Sequence, residues 1–310
     1  VLTCPVNVSE GRDPAVLDAL RRAGGAQLVD LHADIDHHRS VLTLADPVAV
    51  RLLEALGRLA RTVVAHVDLA RHEGVHPRLG ALDVVPFVAL DPTPHAAAVR
   101  AARDASRLLS AEFGIPVFRY DDAAPDHRSL PTVRRGAFRD LLPDLGPERP
   151  HPQAGATAVG ARRPLVALNL EVDLPRAVAA SVAAAVRAAG GGMPGVRALA
   201  FRLPRRGVTQ VSLNVTDLAR TSVEEAVMTV RDLVGARGGT LGRVELVGLV
   251  PDGEWRRWSG RFRRVTGLDV TCTVEYRCRI AEGRAVPLSD DRDPAGGAPG
   301  PGPVVAAPGV

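Results

Sequence analysis

The sequence predicts an α+β protein of two ferredoxin-like lobes, each in the order β-α-β-β-α-β, whose sheets face each other around a ligand tunnel. Three observations predict it. The chain has 310 residues, a length at which single cores divide. Short strands bounded by turn residues alternate with helices that begin at marked caps. The same element order is met on either side of a proline-rich stretch, P-D-L-G-P-E-R-P-H-P from Pro143 to Pro152. No sequence repeat accompanies the duplication, which rests on element order alone.

Taken in order, the first lobe opens at Leu2, and Asp13-Pro14 places a capping carboxylate before a proline suited to a helix start. Strands follow at Leu28–Ala33 and Ser40–Leu44. Asp46-Pro47 then starts a helix whose Leu52, Leu53, Leu56, Leu59, Val63, Val64 and Val67 form one stripe. Leu82–Ala89 is the next strand, and an added helix and strand run from Thr93-Pro94 to Tyr120, the helix stopped by Gly114 and Pro116. In the second lobe the strands are Leu165–Val172, Val196–Leu203, Val208–Val215 and Val244–Val250. Thr221 and Glu224 have capping-box spacing before Val223, Val227, Val230 and Val234. Strict alternation from Gln210 to Val215 puts Gln210, Ser212 and Asn214 on one polar face. The expected organisation is a first lobe at 1–145, a second at 146–286 and a disordered Pro/Gly-rich tail at 287–310.

Composition narrows the function. Apolar residues make up 46% and charged residues 24%, ordinary for a globular protein. No apolar run reaches the roughly 20 residues that span a bilayer, and Glu10, Arg12 and Asp13 interrupt any secretory apolar segment. A cytoplasmic protein is expected. All 39 basic residues are arginine. Without lysine there is no Schiff-base, pyridoxal-phosphate, P-loop or protein-kinase chemistry. Arginine instead grips carboxylates bidentately. Cys4, Cys272 and Cys278 contain no C-x-x-C and read as free thiols.

Seven of the nine histidines fall in the first 95 residues, in two notable clusters. One is D-L-H-A-D-I-D-H-H-R from Asp30 to Arg39; the other is R-H-E-G-V-H-P-R-L-G from Arg71 to Gly80. The second contains H-E-x-x-H, which binds zinc only when both histidines share a helix face. Gly74 inside it and Pro77 after it deny it that helix, so no metal is expected. A His/Arg/Gly/Pro loop between helix and strand suits anion binding and proton transfer.

Several segments together resemble the formimidoyltransferase family. They are N-V-S-E-G-R from Asn7, D-H-H-R-S-V from Asp36, the seventeen residues Arg71–Phe87, Leu130-Pro131 with Arg135-Gly136, H-P-Q-A-G-A-T-A-V-G-A-R from His151, G-M-P-G-V from Gly192, Q-V-S-L-N from Gln210 and E-L-V-G-L-V-P from Glu245. The resemblance covers about residues 3–251. It implies a two-lobed, folate-dependent transferase of histidine degradation, usually a homodimer, with a tunnel for tetrahydrofolate. The implied reaction moves the formimidoyl group of N-formimidoyl-L-glutamate to N5 of tetrahydrofolate and releases glutamate. The resemblance makes His76 the catalytic base, and an imidazole titrating near neutrality suits the loss of a proton from N5. It maps folate binding onto Gly146, Pro147, Glu148, Arg149, Pro150, His151, Pro152, Gln153, Ala154 and Gly155. Arg39 and Arg78 are candidates for the substrate carboxylates or for structural ion pairs. His32 and His72 are candidates to orient His76 or to sit in the wall, and Gln210 and Asn214 to line the tunnel.

Three departures stand out. His38 occupies a position where the family usually has Asn, adding an imidazole beside the expected site. Asp121 stands where glycine is more usual, and W-R-R-W-S-G-R-F-R-R from Trp255 matches no family segment. The first opens an alternative: a folate-dependent paralogue with another N-formimidoyl or formyl donor, or a non-catalytic folate binder. The chain carries no cyclodeaminase segment, so ring closure is expected of another protein. RNA binding, suggested by lobe topology and a pI near 9.6, fails on 3% aromatics and the lack of the required strand motif. Trp255, Trp258 and Phe262 read as the aromatic face of one amphipathic helix with solvated arginines.

Overall fold

A computed structural model describes residues 1–283, so the tail expected at 287–310 lies outside the described residues. The elements of the first lobe are β1 (Leu2–Val8), α1 (Pro14–Gly24), β2 (Leu28–Asp34), β3 (Arg39–Asp46), α2 (Ala49–His66), β4 (Leu82–Ala89), α3 (His95–Phe113), β5 (Val117–Asp121), α4 (Leu130–Gly136) and β6 (Thr157–Ala161). Those of the second are β7 (Val166–Val172), α5 (Arg176–Val186), β8 (Val196–Leu203), β9 (Val208–Val215), α6 (Val223–Gly235), β10 (Leu241–Val247), α7 (Asp252–Arg257), α8 (Gly260–Thr266) and α9 (Val274–Ala281).

Two sheets result, a six-stranded one in the order β2-β3-β1-β4-β6-β5 and a four-stranded one in the order β10-β7-β9-β8. Pairing is antiparallel throughout the second sheet and from β2 to β4 in the first, whereas β6 runs parallel to β4 and β5. Because β6 belongs to the first sheet, that sheet extends past the expected boundary at residue 145. The proline-rich stretch is a return loop, pinned where Asp144 N donates to Val117 O (2.8 Å) and Ala81 N to Ala154 O (2.9 Å). Its prolines mark irregular backbone, and the crossing between sheets comes later, between Ala161 and Val166.

Strand alternation sorts each side chain to one of two faces. Leu2, Cys4, Val6 and Val8 of β1 join α1, α2 and α3 in a helical core, while Thr3, Pro5 and Asn7 face a cavity between the sheets. In β9, Val211, Leu213 and Val215 enter the second core with α5 and α6, and Ser212 and Asn214 line the cavity. Helices α1, α2, α3, α5 and α6 therefore lie outside, with the sheets inside. Among the described residues no helix is long and apolar enough to cross a membrane.

Helix starts hold with shifts, but of the expected caps Asp46 and Thr93 do not serve: α2 follows Val48 and α3 follows Pro94 without a side-chain cap. Asp13 Oδ1 accepts from Ala15 N (2.8 Å), as its spacing predicts. The α6 cap is Ser222, which accepts from Glu225 N (3.2 Å), one residue beyond the expected Thr221–Glu224 pair. Thr221 Oγ1 instead donates to Pro194 O (2.7 Å), which ties the helix start to the loop before β8. The Trp255–Arg264 segment is two short helices, not one, because Ser259 caps α8 by accepting from Phe262 N (3.1 Å). Trp255, Trp258 and Phe262 are all buried in the second core. Arg263 is not solvated as expected but stacks on the Trp255 ring at 3.8 Å. Three cysteines are free thiols, Cys4 and Cys272 buried and Cys278 half-buried. Finally, Val274 of α9 packs against Val88 and Leu90 and closes over the cavity wall.

Candidate active site

Two loops of the first lobe build the site. The β2–β3 turn is shaped by Asp34, whose Oδ1 accepts from Asp36 N (2.8 Å) and His37 N (2.7 Å). It carries His37, His38 and Arg39 into position. The second loop, residues 72–80, precedes β4 and carries His76. A Cβ on Gly74 would stand 2.4 Å from His37 O, so only glycine allows the two loops to approach this closely.

Side chains stitch the loops together. Val75 N donates to Asp36 O (3.3 Å), and His72 Nε2 donates to His38 O (2.8 Å). The His38 and His72 rings stack at 4.1 Å, while His38 Nδ1 reaches Glu73 O (3.0 Å) and its Nε2 reaches Glu10 Oε1 (3.2 Å). Arg78 Nη2 donates to His72 O. His38, His72 and Arg78 are thus bonded into the loops, and none lines the cavity. The H-E-x-x-H pair diverges accordingly: His72 is turned to the β2–β3 turn and His76 lines the cavity. Among the described residues no group of three His, Cys, Asp or Glu could hold a metal.

The cavity, about 940 Å³, is lined by both sheets and includes His32, His37, Arg39 and His76. His76 rests on a buried electrostatic frame. Asp83, fully buried at 0% exposure, accepts from Arg39, from Arg134 Nη2 (2.6 Å) and from Leu79 N (2.6 Å). Burial alone would raise its carboxyl, but the two guanidiniums hold it well below the usual carboxylate range. Arg39 also donates to Asn7 Oδ1 through Nη2 (2.7 Å). Its Nη1 lies 3.3 Å from His76 Nδ1.

The same His76 nitrogen lies 2.7 Å from Pro77 O, a carbonyl that can only accept. This shorter contact assigns the proton to Nδ1 and leaves Nε2 as the accepting nitrogen. Burial first, then Arg39 and Arg134, pushes the imidazole down to about 2, with Asp83 opposing. The imidazole expected to titrate near neutrality is therefore held well below its ordinary range, chiefly by burial, and rests neutral. Such a ring offers a lone pair at any physiological pH and holds an acquired proton weakly, so it passes the proton on readily.

Several contributors escaped the sequence. His37, buried, spans the lobes through Nε2 to Gln210 Oε1 (2.7 Å) and sits 5.9 Å from the His76 ring. Phe201 of β8 stands 6.3 Å from His76 and 5.2 Å from His37. Asp83 had a signal, a lone charge in an apolar strand; Arg134, one of many arginines, had none. Gln210 reaches the site through His37, and Asn214 lines the cavity. His32 lines it too, with its Nε2 buried and unpartnered. The Gly146–Gly155 stretch does not line the cavity. It lies behind the His76 loop, where Leu69 N donates to Gln153 O (3.0 Å) and Gly155 bridges to Gly80.

Residues 1–162 match the model of the formiminotransferase domain, N-terminal subdomain. The chain is 34% identical over 268 residues to glutamate formimidoyltransferase of Streptococcus pyogenes serotype M1, covering 81% of this chain and 89% of that protein. It is 34% identical to glutamate formimidoyltransferase of Thermoplasma acidophilum, covering 81% and 88%. Formimidoyltransferase-cyclodeaminase of Mus musculus is 33% identical over 81% of this chain, which spans 50% of the mouse protein.

Proposed function

This chain belongs to the formiminotransferase family, and on that premise we propose that it transfers the formimidoyl group of N-formimidoyl-L-glutamate to N5 of tetrahydrofolate, with His76 as the base. The observation that carries the reading is a neutral His76, Nδ1 bound to Pro77 O, in the wall of a cavity shared by two sheets.

Tetrahydrofolate, as co-substrate, supplies the N5 nucleophile. The cavity fits such a molecule in size and in lining, for Val41, Val84, Val88 and Leu199 give it apolar walls and six arginines give it positive charge. His76 Nε2 takes the N5 proton as the new C–N bond forms. It returns that proton to the glutamate nitrogen as the old C–N bond breaks, so the proton count balances. Arg39 and Asp83 act on His76: Arg39 spends its hydrogen bonds on Asp83 and Asn7, and its charge adds to the burial that keeps the ring neutral. Arg135, in the wall of the same cavity, has among the described residues a single 3.5 Å contact, to Thr132, and suits the donor's carboxylates.

His38 bonds to Glu10 and Glu73 outside the cavity, which takes away the support it lent to a different donor. The reading carries with it a cytoplasmic location and a homodimer, the latter tested by light scattering of the purified protein. The reaction is tested by mixing the chain with tetrahydrofolate and N-formimidoyl-L-glutamate, acidifying, and reading methenyltetrahydrofolate absorbance. His76→Ala is expected to lose about 10²–10⁴-fold in turnover. An undiminished signal in that variant removes His76 from the role, and no signal from the native chain rejects the reaction.

A further inference from the structure

We propose that Arg162, Arg187 and Arg197 form the subsite that takes the glutamate carboxylates of tetrahydrofolate, at the end of the cavity away from His76. The inference rests on the reading above and adds the residues that recognise one part of one substrate.

Arginines around the cavity divide into two kinds. Arg39 and Arg134 are committed to Asp83. Arg187 and Arg197 line the same cavity, yet their guanidiniums have no hydrogen-bonding or ion-pair partner within 4 Å among the described residues. Arg162, also in the wall, donates from Nη1 to Arg163 O at 3.0 Å and hydrogen-bonds the buried Tyr120 side chain, an uncharged partner that leaves its charge uncancelled. The carboxylate they share is Asp121, which feels both Arg197 and Arg162. One carboxylate among three guanidiniums leaves an excess of positive charge facing the cavity, and guanidinium forks match carboxylates bidentately.

Backbone geometry brings these residues together from both lobes. Arg187 ends α5 and bridges to Met193, whose carbonyl accepts from Val196 N (3.2 Å) at the start of β8. A Cβ on Gly192 would lie 2.3 Å from Ala185 O, so this close return needs glycine. Arg162 follows β6 of the first lobe and reaches the same corner through Asp121.

Position along β8 selects which substrate supplies the carboxylates. Arg197, Leu199 and Phe201 share one face of the strand, and all three line the cavity. Phe201 is the residue beside His76. Arg197 lies four strand steps back, about 13 Å at roughly 3.3 Å per residue. The carboxylates of N-formimidoyl-glutamate are only a few bonds from the transferred carbon and match that span less well than those of folate. In tetrahydrofolate, a methylene-amine, a benzene ring and an amide separate the glutamate from the pterin. Leu199, 50% exposed between Arg197 and Phe201, gives that ring an apolar surface midway.

The test is equilibrium binding of tetrahydrofolate and of tetrahydropteroate, which keeps the pterin and benzoyl groups but lacks glutamate. The native chain is expected to prefer tetrahydrofolate by about 10- to 100-fold, as for one or two charge-assisted hydrogen bonds. Arg187→Ala/Arg197→Ala should bind the two ligands equally, with tetrahydropteroate affinity and the KM for N-formimidoyl-L-glutamate retained. Arg197→Lys should recover part of the preference, since an ammonium restores the charge without the fork. Circular dichroism melts confirm that each variant is folded. A double variant that keeps the native preference overturns the subsite alone, as does one in which the donor KM rises instead. A native chain that binds neither ligand overturns the folate reading and the subsite with it.

Discussion

His76 Nδ1 lies 3.3 Å from Arg39 Nη1, and Arg39 is held there by the fully buried Asp83. Burial is the main cause that holds the imidazole low, and Arg39, positioned by Asp83, adds to it. Asp83→Asn would leave Arg39 and Arg134 as uncompensated buried charge. Breaking a buried pair this way costs about 3–5 kcal/mol, which urea unfolding would read as a lowered midpoint with an unchanged slope. A cost below about 1 kcal/mol would mean that water, not Asp83, balances the guanidiniums.

Acid should unfold the protein in a window the histidines own. The folded His76 is depressed to about 2, and His72 is lowered by burial. Below an unfolded histidine value of about 6.5, the unfolded chain therefore binds more protons than the folded one, and stability falls as pH falls. Glu10 and Asp83 are also lowered in the fold, but their contribution is lost only as pH drops below about 4.5. Between about pH 6.5 and 4.5 each imidazole supplies a slope of at most about 1.4 kcal/mol per pH unit. His76→Asn should flatten the native slope by one such proton, measured as thermal midpoints across that range. Parallel native and variant curves would refute the buried neutral ring.

The element order and the polar face of β9 were legible in the sequence, because strand alternation is local. So was the loop bearing His76. Asp83, Arg134 and His37 were not assigned, because their roles come from partners 44 to 173 positions distant along the chain, as with Arg39–Asp83 and His37–Gln210. Local pattern carries no sign of such pairs. The Pro143–Pro152 loop misled for the same reason: proline shows that a segment is irregular but not which sheet receives the strand beyond it.

Arg206 should couple the lobes to the site. From the β8–β9 turn it contacts Asp34, Asp36 (3.3 Å) and Glu171 (3.5 Å), while Arg205 N donates to Asp36 Oδ1 (2.9 Å). Asp34 and Asp36 belong to the turn that carries His37 and Arg39. In a double-mutant cycle, Arg206→Ala and Asp36→Ala should show a coupling energy of about 0.5–3 kcal/mol. Turnover should fall in Arg206→Ala as that turn loosens, with partial rescue by Arg206→Lys. Additive stabilities and native turnover would reduce Arg206 to a surface pair.

Trp258 tests whether α7 and α8 belong to the body of the second lobe. Its ring is 2% exposed, meets Phe262 edge-on at 5.3 Å, and donates Nε1–H to Glu254 Oε1 at 3.1 Å. Glu254 Oε1 also accepts from Val223 N (2.7 Å) at the start of α6, so one buried carboxylate joins the aromatic segment to that helix. Trp258→Ala removes a large side chain from this contact and should cost about 3–5 kcal/mol. Trp258→Phe keeps most of the volume and loses the hydrogen bond, for about 0.5–1.5 kcal/mol. Trp258 does not line the cavity, so both variants, assayed where they remain folded, should keep the native KM for tetrahydrofolate. A KM that rises while the melting temperature holds would place this segment in the binding site instead of beneath it.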